Sequence, residues 1–363
     1  MIHPFFHHLP LSLILSCFVA IFTVQTCLYL LKPMAMHVGL VDTPGGRKKH
    51  LIAVPLIGGI AIFMGLCFSL LALDISLRDY RGLLAGSAIL LLLGILDDFR
   101  ELRPRVRLIG QCMAAILLMQ SGHLMINQLG NLFFFGGVNL GVWSVVVTIL
   151  FVLGIINATN MIDGNDGLAG AVVLGQGALF LLISRVFHET AHADVLCLFL
   201  ASIFVFLAYN FPLPWQKHAR VFLGDAGSTL LGFIIAWFAV NLLQSSLSLA
   251  YMHYNPVTIL WVLAYPLFDL TSVIFHRLRS GNSPFLPSRD HLHFMLIDLG
   301  VKKSVITVTL VCFSWGIGLI GILLANQFIS ESWQAVMFAT TLIIYLSMTT
   351  FLKSAVTKHE VLS

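Results

Sequence analysis

Residues Leu11 to Leu31 read LSLILSCFVAIFTVQTCLYLL, a run without a single Asp, Glu, Lys or Arg. About 20 residues at a rise of 1.5 Å cross a hydrocarbon core roughly 30 Å thick, so this run predicts a membrane-spanning helix. It is longer than a signal-peptide core and lacks a small-x-small cleavage site before the next polar stretch, so it is expected to remain as the first span. Working outward, apolar runs bounded by polar clusters predict eleven spans, at about 11–31, 55–73, 81–96, 106–122, 142–158, 167–184, 194–210, 224–243, 256–276, 304–325 and 333–352. Of the 363 residues, 58% are hydrophobic and 10% charged, and the mean hydropathy is +0.95. A soluble domain carries roughly 25% charged residues, so a water-soluble enzyme is excluded. The expected fold is an all-α polytopic membrane protein. Residues 1–363 form one integral-membrane domain, because the longest polar intervals, about 32–54 and 277–303, leave no room for a separate soluble one.

Charge placement gives an orientation. With the N-terminus periplasmic and the C-terminus cytoplasmic, only Arg78, Arg81 and Arg185 of the 20 Lys and Arg fall outside. The net charge of +4 is small and suggests no nucleic-acid partner. All six cysteines lie in apolar runs without C-x-x-C spacing, which argues against a metal clip or a disulfide framework. Asn131 to Gly141 surrounds a Gly-Gly pair with aromatic and β-branched residues and predicts a hairpin flap on the outer side.

Carboxylates are costly in a bilayer, so their positions point to function. Asp97 and Asp98 end the third span in GILDDFR, Asp163 and Asp166 follow the fifth in NATNMIDGNDG, and Asp225 opens the eighth in VFLGDAGST. All five fall on the inner face. Asn157, Asn160, Asp163 and Asp166 recur every third residue, a spacing that brings neighbours together on a helix, and Gly164 and Gly167 interrupt it. Glycines there, and at the start of the eighth span, suit close approach of a phosphate, with backbone N–H groups free for anions and Asp225 free for a cation. Basic residues share this face, in Arg47 to His50, in Arg100 to Arg107 and around Arg289. Acids beside cations suit a substrate bearing several phosphates, with a divalent metal bridging them. Taken one at a time, an acid at a helix end is more simply solvated, and the cations alone follow from topology. The glycines near Lys48 are not a phosphate-binding P-loop, and DGNDG lacks the ligands of a calcium loop.

With these motifs assembled, the chain resembles the polyprenyl-phosphate N-acetylhexosamine-1-phosphate transferases, and most of all the bacterial branch that uses N-acetylglucosamine. The resemblance rests on VGLVDTP, RKKH and PLIGG near the start, GILDD, INATNMIDGNDGL, VFLGDAGSTLLGF, and PLFD followed by RLRSGNSPF. It implies transfer of N-acetylglucosamine 1-phosphate from UDP-N-acetylglucosamine to undecaprenyl phosphate, with release of UMP, at the cytoplasmic surface of the bacterial inner membrane. The product would start O-antigen or a related surface glycan, and another UDP-N-acetylhexosamine is the alternative donor. The cofactor implied is magnesium, or manganese in its place. The resemblance further implies catalytic roles for Asp97, Asp98, Asp163 and Asp166, and metal binding by Asp225, helped by Asp166 or Asn210. Substrate contacts are implied for Lys48, Lys49, Asn157, Asn160, Asn210, Phe222, His291 and His293, with Phe222 where the family stacks uracil. Relatives show H-x-H-H where this chain has His291-Leu292-His293-Phe294, so the last histidine is missing. Related enzymes are often dimers, and a homodimer is left open.

The rival class is a transporter, which calls for carboxylates near the midplane on broken helices. Only Asp269, about eight residues before Arg277, approaches that depth. A non-catalytic scaffold would leave the five acids on one face without a purpose.

Overall fold

The computed structural model describes residues 10–42, 53–120, 124–186, 192–213, 215–216, 218–248, 254–283, 290–327 and 329–362. Thirteen α-helices stand among them: α1 (Leu11–Val38), α2 (Gly58–Ala72), α3 (Arg81–Phe99), α4 (Pro104–Gln120), α5 (Ser144–Met161), α6 (Leu168–Val186), α7 (Ala193–Asn210), α8 (Gly224–Ser248), α9 (Pro256–Val262), α10 (Ala264–Arg279), α11 (Leu292–Asp298), α12 (Lys303–Asn326) and α13 (Glu331–Leu362). A two-residue antiparallel pair, β1 (Val41–Asp42) with β2 (Val54–Pro55), completes the elements. Eight helical segments among the described residues are long and apolar enough to cross a membrane, or nine with α9–α10 taken as one bent span. The protein is thus a polytopic all-α membrane protein.

The sequence predicts an unbroken helix over 256–276, but α9 and α10 meet at 77°. Pro266 gives the reason: it cannot donate to the carbonyl of Val262, and its ring clashes with that carbonyl, so the helix breaks one turn before it. Asn255 caps α9 by accepting from Thr258 N–H at 3.0 Å, with Pro256 at the first helical position.

α8 is the centre of the bundle. In the most apolar 18 residues of Gly224–Gln244, 89% are buried, against 11% in those of Glu331–Thr357 in α13, which faces outward. Three neighbours reach α8 at glycines. A Cβ on Gly59 of α2 would lie 2.4 Å from Gly227 Cα, one on Gly94 of α3 would lie 2.2 Å from Ala226 Cα, and one on Gly232 of α8 would lie 2.8 Å from Ile156 Cα of α5. Small residues let helix backbones approach where apolar solvent gives no hydrophobic drive for packing. These contacts bring the ends of α3 and α5 against the start of α8.

At the opposite end of the bundle, Leu129 and Val138 pair across the predicted hairpin, with Leu129 N–H donating to Val138 O at 2.9 Å and Val138 N–H to Gly130 O at 3.0 Å. Its base is clipped to α13, where Glu331 accepts from Asn131 N–H at 2.6 Å.

Candidate active site

The acids converge where α3 ends and α8 begins. Gly224, at φ +71°, turns the chain into α8, and a Cβ there would stand 2.4 Å from an Asp98 carboxylate oxygen. Asp98 accepts from the N–H groups of Asp225 at 2.8 Å and Ala226 at 3.3 Å. The N–H groups that the sequence suggested for a substrate anion are therefore taken by Asp98, which satisfies the orphan donors and the positive end of the helix dipole. Asp225 is oriented in turn by Asn160, whose amide nitrogen donates to Asp225 Oδ1 and to Ser228 Oγ, both at 2.8 Å.

Asp97 has partners of its own. It accepts from Leu102 N–H at 2.6 Å and forms an ion pair with Arg107 Nε at 2.7 Å. Asp97, Arg107, Asn160 and Asp225 line one cavity between α3, α4, α5 and α8, continued by Gln111 and Asn157 and by Leu90 and Leu93. Asn157 and Gln111 hold each other side chain to side chain, at 2.7 and 3.4 Å. Arg107 closes the basic run expected on this face, and Gln111 is a site residue that motif reading had not singled out. They stand four apart at the start of α4, polar positions on one face of an otherwise apolar helix, and that spacing was the available signal.

Helix α5 stops at Met161, so Asp163 and Asp166 sit in the connection to α6 rather than on a helical face. Burial first, then the charges of Asp225, Asp98 and Asp166, push Asp163 up to about 8. Asp166 accepts from Ala219 N–H at 3.3 Å. Asn210 is buried, its oxygen accepting from Gly167 N–H at 2.9 Å and its nitrogen donating to Val221 O at 2.8 Å. It ties the 163–167 turn to the segment entering α8. Phe222 N–H donates to Pro55 O, and Phe222 O accepts from Gly58 N–H, both at 2.9 Å. Lys48 and Lys49 lie outside the described residues, but the chain on either side of residues 43–52 is the β1–β2 pair, joined to Phe222 through Pro55.

The histidines reach the same place from the other side. A Cβ on Gly164 would stand 2.2 Å from His293 Nε2, so that ring packs on the turn bearing Asp163. His291 lies 5.6 Å from His293, ring centre to ring centre, at 24°. Phe294, at the position of the missing third histidine, packs on His293 at 4.1 Å. Asp269, the carboxylate on which a transport reading rested, is bonded to His291 and so belongs with this motif.

A family model described as glycosyl transferase family 4 matches residues 80–243, the stretch that carries all five acids. The undecaprenyl-phosphate alpha-N-acetylglucosaminyl 1-phosphate transferase of Yersinia pestis is 35% identical over 286 residues, covering 78% of this chain and 77% of that protein. The protein of the same name from Escherichia coli is 32% identical over 319 residues, 88% and 86% of the two chains. That of Haemophilus influenzae is 34% identical over 311 residues, 84% and 86%. The chain belongs to the polyprenyl-phosphate N-acetylhexosamine-1-phosphate transferases.

In this transferase the donor set suits a hard cation: carboxylate and amide oxygens, with no thiolate among the residues named above. Among the described residues no three His, Cys, Asp or Glu side chains stand together as a ready-made metal cage.

Proposed function

We propose that this transferase moves N-acetylglucosamine 1-phosphate from UDP-N-acetylglucosamine to undecaprenyl phosphate, yielding undecaprenyl-pyrophosphoryl-N-acetylglucosamine and UMP, as the first step of O-antigen or related glycan synthesis. The observation that carries the reading is the meeting of Asp97, Arg107, Asn160 and Asp225 in one cavity at the end of the bundle, in a chain whose relatives bear that activity in their names. All eleven apolar segments are read as crossing the inner membrane, α9 and α10 together as one bent crossing and α11 as none. The N-terminus is then periplasmic, and the site and the C-terminus are cytoplasmic.

The reaction brings two phosphate-bearing anions together, and two unit charges 4 Å apart repel by about 4 kcal/mol even at an effective dielectric near 20. Magnesium, or manganese, bound when the donor binds would supply charge neutralisation at the pyrophosphate. Asp225 would hold it with help from Asp166, and Asn160 fixes the Asp225 carboxylate for that task. Arg107 offers its guanidinium to the lipid phosphate, while Asp97, held against it, is placed to accept a proton from that phosphate or to orient it. Asp163, raised to about 8, holds a proton near neutral pH, because it is buried and ionising would also add a charge beside three other acids. Phe222 and the basic loop of Lys48 and Lys49 would take the nucleotide and its phosphates. Catalysis is then mainly positioning and charge stabilisation.

The test is to incubate purified protein with undecaprenyl phosphate and a panel of UDP-N-acetylhexosamines, following metal-dependent UMP release and identifying the lipid product by mass. UMP release with UDP-N-acetylglucosamine is expected. A protein that turns over only a different UDP-sugar, or none, overturns the donor assignment or the reaction.

A further inference from the structure

Asp269 is a carboxylate wholly shielded from solvent, and three donors from two parts of the chain close on it. His291 Nδ1 lies 2.7 Å from Oδ2, Leu292 N–H donates to Oδ1 at 3.0 Å, and the Tyr345 hydroxyl donates to Oδ1 at 3.1 Å. A carboxylate buried in an apolar bundle is costly unless its charge is met, so a placement this well satisfied calls for a purpose. The purpose is visible in what it holds. His291 and Leu292 open α11, and the residue before them, Asp290, is pinned to Lys353 of α13 at 2.7 Å. The short segment carrying the histidine is thus fixed at both ends, by α10 and by α13. An ionised carboxylate only accepts, so the proton at this contact belongs to His291 Nδ1. Nε2 is then the nitrogen left for a ligand. The His291 ring stacks on His293, which packs on Gly164 beside Asp163.

We propose that Asp269, with Tyr345, is a positioning residue of the active site: it fixes His291 with a proton on Nδ1, so that Nε2, on taking up a second proton, donates to the phosphates of the nucleotide-sugar donor. The proposal rests on the transferase reading for the identity of that ligand, but not for the form of the histidine. Asp269 touches no substrate. It acts by removing the rotational and tautomeric freedom of the ring that does, as carboxylates do behind metal-bound and catalytic histidines elsewhere. Tyr345 keeps the carboxylate in place from α13, which makes the last helix part of the catalytic apparatus although it carries none of the sequence motifs.

Two measurements test this. The first uses the full-length protein labelled with 15N-histidine in lipid bilayers, without substrate, with His291→Gln to assign the resonance. His291 should carry its proton on Nδ1 in the wild-type protein and lose that preference in Asp269→Asn. A neutral wild-type ring protonated on Nε2, with Nδ1 bare, overturns the proposal whatever the enzyme turns over. The second is a double-mutant cycle on UMP release. Asp269→Asn should lower kcat about tenfold or more with little change in KM for the UDP-sugar. In a His291→Gln background it should cost almost nothing further, because the residue acts only through that ring. Tyr345→Phe should reproduce part of the loss, again only when His291 is present. Additive losses would mark Asp269 as a packing residue and refute the proposal. Should Asp269→Asn fail to fold, the wild-type spectrum and the Tyr345→Phe cycle still decide. Should no UDP-sugar be turned over, the spectrum alone reports on the histidine, so failure of the function and failure of this inference are told apart.

Discussion

Gly94→Ala is the smallest change that should take the active site apart, and its size can be worked from the packing. Gly94 lies on α3 one turn before Asp98, facing the first turn of α8. A methyl group there would fall 2.2 Å from Ala226 Cα, 2.5 Å from Ala226 N and 2.9 Å from the Asp225 carbonyl carbon. These are backbone atoms and cannot rotate away. Ordinary carbon–carbon contact is about 3.5–4.0 Å, so the two helices must part by roughly 1.5 Å. The bond from Asp225 N–H to Asp98, now 2.8 Å, would open to about 4 Å, beyond any hydrogen bond. Overpacking of this kind costs about 1–3 kcal/mol, and the lost cap adds about 1 kcal/mol. Asp225 would also move relative to Asp97 and Asn160, and a misplacement of about 1 Å costs on the order of a hundredfold in rate. UMP release and thermal unfolding in detergent should both fall. Gly154→Ala on α5, where a Cβ would meet nothing within 4 Å, is the matched control and should leave both almost unchanged. A Gly94→Ala enzyme working within twofold of wild type would refute the claim that α3 and α8 position the acids by direct backbone contact.

Asp225→Asn keeps the shape of the side chain but removes a charge, so turnover should fall about a hundredfold and the magnesium requirement should rise. Asp298→Asn, at the end of α11 and outside the cavity, should be nearly silent, and overlapping magnesium titrations for wild type and Asp225→Asn would remove the metal assignment. Asp163 is raised from its ordinary 3.8 to about 8, so the folded protein holds a proton that the unfolded chain has lost between those values, and stability falls as pH rises through them. Asp163→Asn should flatten that decline in thermal unfolding followed in chelator from pH 5 to 9, and an unchanged slope would contradict it. In a cysteine-free background, a probe at Gly281 should be labelled only from the cytoplasm and one at Gly137 only from outside; the reverse pattern would invert the proposed topology.

Each segment read as a span from its apolar run holds helix, because charged and glycine-rich breaks mark the ends of such runs in the sequence itself. The bend between α9 and α10 went unread although Pro266 stood in the middle of the 256–276 run, since an apolar run marks a span and not its straightness. The site was legible as composition and not as wiring. Asp97 and Asp98 are adjacent and look equivalent, yet one faces the cavity with Arg107 while the other caps a helix that begins at Gly224. No local pattern tells which of two neighbours meets a partner so distant in the chain. Asn210 was read by its place ahead of a metal motif, and its bonds to the backbone at Gly167 and Val221 could not be read there. Asp269 was read by depth alone, and its partner His291 lies beyond the end of α10.

How the acids bear one another's company follows from those differences. Asp98 is offset by the N–H groups and dipole of α8, Asp97 by Arg107, and Asp225 by the amide of Asn160. Asp163 keeps its proton instead. Three acids are thus held in place by hydrogen bonds or an ion pair, and Asp163 by its own proton. A cation entering beside Asp225 would lower the cost of ionising Asp163, and the released proton would make a second carboxylate available to it. Binding of donor and cation would then be coupled to release of the Asp163 proton beside the acids that α3, α5 and α8 bring together.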